Sequence, residues 1–116
     1  MTLDLFTEKL EENQRKIFLF LHESFLGFPE ISCKIRYKIP FYDYHSWVCY
    51  INPLKNGAIE LCFIKGNKMV LHKHLLQSKG RKMIAGIEIA NLNTAPIEEI
   101  MECFSEALIL DEKVKK

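Results

Sequence analysis

The chain has 116 residues, 48% of them hydrophobic and 27% charged, a composition that belongs to a folded domain and excludes a disordered or fibrous chain. Its 16 Lys and Arg almost cancel its 15 Asp and Glu, leaving a formal charge of +1, so bulk charge argues against nucleic acid and favours no partner class. No apolar run is long enough to span a bilayer, and the opening MTLDLFTEK lacks the basic start and apolar stretch of an export signal. A membrane partner is therefore not expected.

The first predicted element is one helix. Leu3, Phe6, Leu10, Ile17, Leu21 and Phe25 follow a three-or-four spacing, Thr2 or Thr7 can cap it, and Gly27 with Pro29 ends it. The next stretch, ISCKIRYKIPFY, alternates from Ile31 to Ile39. In an extended chain this sorts Ile31, Cys33, Ile35, Tyr37 and Ile39 to one face and Ser32, Lys34, Arg36 and Lys38 to the other. Pro40 cannot donate to a ladder and interrupts this strand, and a bulge there can reverse the facing of later residues. A turn around Asp43 to Ser46 leads to a strand over Trp47 to Asn52. Asn56-Gly57 supplies a second turn, and a strand over Ala58 to Ile64 comes next.

Val70 to Ser78 suits a short helix or an irregular apolar loop, and LQSKGRK an exposed basic turn before a last strand over Met83 to Ala90. The final helix spans about Ala95 to Leu110, with Ile97, Ile100, Met101, Phe104, Ala107 and Leu108 as its apolar stripe; the tail DEKVKK is expected to fray. Together these elements predict a single domain over residues 1–116 of the α+β class. It is a two-layer sandwich in which an antiparallel sheet packs one face against the N-terminal and C-terminal helices and leaves the other partly open.

Four cysteines, Cys33, Cys49, Cys62 and Cys103, lie at least thirteen residues apart, which excludes CxxC knuckles. They read as reduced, buried thiols of a cytoplasmic protein. The runs KIRYKIPFY, WVCYI, GAIELCFIKG and LLQSKGRKMIAGIEI resemble the YdhG-like family, a bacterial domain of unknown function. The marks are Tyr37 ahead of Pro40-Phe41, Phe63 closing a strand at Gly66, and the turn Lys79 to Lys82, and the likeness runs from about Ser24 to Leu108. Some members of that family are described as frataxin-like iron chaperones. The resemblance thus implies a compact sheet flanked by helices and, by analogy with acidic first helices, iron held near Glu8 and Glu12. Read without it, those glutamates are the solvated face of a helix start, favoured there by the helix dipole.

No residue volunteers for catalysis. His72 and His74 lack a third ligand nearby, His45 beside Ser46 is adjacency only, and no phosphate-binding loop or nucleophile elbow is present. The remaining lead is aromatic and basic. Tyr37, Phe41, Tyr42, Tyr44, Trp47 and Tyr50 cluster on adjoining strands beside Arg36 and Lys38, and Lys79, Arg81 and Lys82 lie on the later turn. Such a platform can grip a small anionic or metal-containing ligand, whereas the same cations can instead pair with Glu60 and Glu88 across the sheet. The expectation is a non-catalytic binding protein with ligand contacts at Arg36, Lys38, Tyr42, Trp47, Lys79, Arg81 and Lys82. The alternative is a protein-interaction module, or a homodimer, that uses exposed aromatics.

Overall fold

The structure, a computed structural model, describes residues 1–113. It has the expected α+β architecture: a five-stranded antiparallel sheet in the order β1-β2-β3-β4-β5, with an N-terminal helix pair and a C-terminal helix. The strands are β1 (Ser32–Arg36), β2 (Ile39–Asp43), β3 (Trp47–Pro53), β4 (Ile59–Phe63) and β5 (Ala85–Ile89). The helices are α1 (Leu3–Lys9), α2 (Glu12–Leu26) and α3 (Ile97–Glu112). No described helix is long and apolar enough to cross a membrane.

Two differences from the sequence expectation matter for the site. The first is that the N-terminal helix is two helices. Leu10 is extended, and Glu11 caps the start of α2, its backbone N–H donating to Gln14 Oε1 at 3.4 Å. Arg15 then reaches back from α2 and donates to the carbonyls of Thr7, Glu8 and Leu10. A helix end leaves its last carbonyls without partners, and this guanidinium supplies them. The apolar spacing runs on across the break because Phe6, Leu10 and Ile17 all reach the same core, so periodicity hides the joint.

The second is a tight turn inside the predicted opening strand. Tyr37 and Lys38 both have positive φ, 55° and 67°, and join β1 to β2 as a two-residue hairpin. Arg36 pairs with Ile39 and Cys33 with Tyr42, so odd positions of β1 lie beside even positions of β2. Parity is therefore inverted beyond the turn. Ile31, Cys33 and Ile35 pack on the core, as the alternation predicts, but Tyr37 is 79% exposed and Pro40 sits within a strand at the expected interruption. A register shift at Tyr42/Asp43, opposite Trp47, adds a bulge.

The core fills the space between the sheet and helices. Phe18, Leu21 and Phe25 of α2 and Ile100, Cys103 and Phe104 of α3 are fully buried against Cys49, Ile51, Leu61 and Phe63. Phe25 and Phe104 stack with ring centres 4.0 Å apart and so join the two helices directly. Short 3-10 turns at Gly66–Lys68 and Lys73–Leu75 flank a strap, Val70 to His72, that is tied to Glu102 and Glu106 of α3, and Gln77 forms an isolated bridge to Gly86 on the outer edge of β5.

The end of α3 also departs from expectation. Asp111 belongs to the helix and is 1% exposed, accepting from the backbone N–H groups of His45 (2.7 Å) and Ser46 (2.8 Å), the Ser46 hydroxyl, and Lys65 Nζ at 3.1 Å. The predicted fraying therefore does not start at Asp111, and residues 114–116 of the tail lie outside the described residues. Burial raises the Asp111 pKa, and the bonds from Ser46, Lys65 and His45 outweigh it, holding the carboxyl below its usual range.

Candidate ligand site on the open sheet face

The face of the sheet turned away from the helices carries Phe41, Tyr50, Asn52, Glu60, Cys62 and Glu88. Cross-strand neighbours include Phe41 with Tyr50, Tyr50 with Cys62, Asn52 with Glu60, and Glu60 with Glu88. At its β1–β3 end the aromatics form a continuous cluster. Phe41 stacks on Tyr50 at 4.9 Å and meets Trp47 edge-on at 5.2 Å, and Tyr37 leans in at 5.9 Å from Phe41 and 6.5 Å from Trp47. The bulge re-aims Trp47 so that its indole joins this face although Cys49, two residues on, points into the core. With Ile39, Asn52, Ile64 and Ile84, the four rings line a cleft of about 390 Å³, within the ~300–1,000 Å³ usual for small-molecule sites.

Arg36 packs against the Trp47 and Phe41 rings without itself lining the cleft. Its two terminal nitrogens donate to the two Asp43 oxygens at 2.7 Å each, and its guanidinium carbon lies 4.4 Å from the Trp47 ring centre and 5.7 Å from that of Phe41. The fork geometry fits a carboxylate while the flat cation covers the indole. The Asp43 hydrogen bonds hold Arg36 above its ordinary pKa.

A separate ionic knot occupies the other end of the same face. Glu60 is 2% exposed and accepts from Arg81 Nη2 at 2.9 Å, with Lys79 Nζ 3.5 Å away and also paired to Glu88. Arg81 is fully engaged, since it also donates to the carbonyls of Ser78 and Gln77 and to Cys62 Sγ. Lys79 and Gly80 adopt positive φ, which folds this turn back over the sheet. Gly86 leaves the room that Glu60 needs, because a Cβ there would stand 2.7 Å from Glu60 Oε2. Burial raises the Glu60 pKa, and Arg81 and Lys79 more than reverse that, so the carboxyl is held low.

The residues singled out from sequence thus divide. Arg36 and Trp47 come together, Trp47 lining the cleft and Arg36 covering its ring, and Lys79 and Arg81 meet on Glu60. Lys38 is exposed in the hairpin turn and Lys82 is exposed beyond the second. Tyr42 is on the opposite side of the sheet, wholly buried, with its hydroxyl 2.7 Å from His22 Nδ1, because the Tyr37-Lys38 turn inverted the alternation. Glu8 and Glu12 fall on different helices, so no helical step of four unites them, and Glu12 pairs instead with Lys16 at 3.8 Å. His72 Nε2 lies 2.6 Å from a Glu102 carboxylate oxygen. Among the described residues no three His, Cys, Asp or Glu side chains converge as a metal site.

Comparison of the chain with family models, with curated proteins and with solved structures finds no match. The site therefore rests on its own geometry. Sequence reasoning missed Asn52, Ile39, Ile64 and Ile84 as parts of the cleft. Asn52 shares parity with Tyr50, so knowing the hairpin register would have found it. Cys62 lies at the floor of this face beneath Arg81, and burial pushes its thiol up to about 11, which leaves it protonated and unreactive at neutral pH.

Proposed function

We propose that this chain is a small non-catalytic binding protein that takes a flat organic ligand in the aromatic cleft of its open sheet face. The observation that carries the reading is the convergence of Tyr37, Phe41, Trp47 and Tyr50 around one cavity while the apolar demands of the core are met on the other side of the sheet. Of these rings Tyr37 and Trp47 are exposed, and such rings are costly to leave in water and are surfaces on which planar molecules stack. Charge carries less of the binding than the sequence suggests. Arg36, Lys79 and Arg81 already hold carboxylates, so a small anion gains little by competing for them. Glu8 and Glu12, set on separate helices, add no support to an iron-carrying role.

Trp47 is the sole tryptophan and lines the cleft, so its emission reports occupancy directly. Titration with a neutral naphthyl alcohol should shift or quench that emission at a midpoint insensitive to salt, whereas inorganic phosphate and citrate should leave it unchanged. A response to the anions alone, weakening steeply with ionic strength, would replace this reading by an electrostatic anion site.

A second reading is a protein-interaction module or homodimer. The 79% exposure of Tyr37 favours it, since an aromatic ring at a loop tip is a common anchor for a partner. Sedimentation across a concentration series separates the two: a dimer that Tyr37→Ser disperses supports self-association, and a monomer throughout supports the small ligand.

A further inference from the structure

We infer that the ligand of the cleft is a nucleobase-like heteroaromatic ring, read at its edge by the carboxamide of Asn52; this rests on the proposal that the cleft binds a flat molecule. Two properties of the site lead there. The lining is largely aromatic, and aromatic side chains stack on planar rings of any kind and so supply affinity without discrimination. Asn52, in contrast, is half-buried at the cleft lining and, among the described residues, takes no part in the hydrogen bonds that tie up Arg36, Glu60, Lys79 and Arg81 on the same face.

A carboxamide offers one acceptor and a pair of donors side by side. It is therefore matched by a ring edge that carries an acceptor nitrogen next to an exocyclic amine, the arrangement that adenine presents. A purely hydrocarbon ring would leave the carboxamide desolvated and unpaired, which disfavours it. Phosphate is not what the cleft selects, because Arg36, Lys79 and Arg81 are already matched by Asp43, Glu60 and Glu88. The ligand is then a base or nucleoside. A nucleic-acid strand would need a row of free cations to track its backbone.

The test compares adenosine with purine riboside, which keeps the ring but lacks the exocyclic amine, in titrations followed by Trp47 emission. Adenosine should bind tighter by about 5- to 150-fold, the range expected for one bidentate base contact. In Asn52→Leu that ratio should fall close to one while the naphthyl alcohol still binds. Asn52→Ala is the second variant should leucine perturb folding, with circular dichroism as the check on both. If the naphthyl alcohol binds and adenosine shows no advantage over purine riboside, the base-specific inference is overturned and the flat-ligand proposal stands. If no planar compound perturbs Trp47, both are overturned.

Discussion

Replacing Asp111 tests how the frame behind the cleft is held. The carboxylate is buried near the end of α3 and gathers two backbone N–H groups, the Ser46 hydroxyl and Lys65 at one point, fixing the turn that leads into Trp47. In Asp111→Ala the Lys65 ammonium, whose side chain is 22% exposed, can turn to water. The two backbone donors and the hydroxyl lose their acceptor in a partly buried place. At about 1–1.5 kcal/mol for each of these three losses, the lower part of the range for unsatisfied groups, the change amounts to roughly 3–4.5 kcal/mol. That is a large share of the ~5–15 kcal/mol typical of a domain and corresponds to a fall in Tm of roughly 15 °C. Asp111→Asn keeps one acceptor oxygen and should lose about half as much. Urea unfolding followed by Trp47 emission measures both. The pH dependence has a definite sign. Because the folded carboxyl titrates below its unfolded value of about 3.9, its contribution is present above that pH and lost as pH falls through the folded pKa. A loss below 1 kcal/mol in Asp111→Ala, with an unchanged acid limb, would refute the reasoning.

Gly66→Ala should destabilise the fold by about 1–3 kcal/mol, since its new Cβ would stand 2.5 Å from the Ala85 backbone nitrogen; the urea midpoint reads this. Stability should decline as pH drops below about 6.5, because burial lowers the His22 pKa beside Tyr42 and the unfolded chain takes up a proton the folded one resists. That segment of the pH curve should flatten in His22→Gln. Arg36→Lys keeps the charge but loses the fork on Asp43 and the flat cover on Trp47, so the emission should shift to the red with a loss of about 1.5–3 kcal/mol.

The strands are legible where short-range chemistry dictates them. Alternation assigns Ile31, Cys33 and Ile35 to the core, and Asn56-Gly57 marks a turn at which Gly57 indeed takes φ 91°. The Tyr37-Lys38 turn is illegible because neither residue is one of the usual positive-φ formers, and continuous alternation makes nine residues look like one strand. That single turn decides on which side Tyr42 lies, and the bulge opposite Trp47 obscures the facing of Asn52, so the aromatic content of the site can be read from sequence and its polar member cannot. Asp111 and Arg15 escape detection for a related reason. Each acts on backbone groups brought near by the fold, Asp111 on a turn 65 and 66 residues away in sequence, and composition carries no trace of such contacts.

Backbone and side-chain resonances of the isotopically labelled chain, followed during titration with adenosine, locate binding most directly. The account predicts that shifts concentrate at Tyr37, Phe41 and Tyr50, the Trp47 indole N–H and the Asn52 carboxamide, leaving α1 and the core-facing side of α3 still. Shifts centred instead on Glu8 and Glu12, or on the strap around Val70 and Leu71, would contradict it.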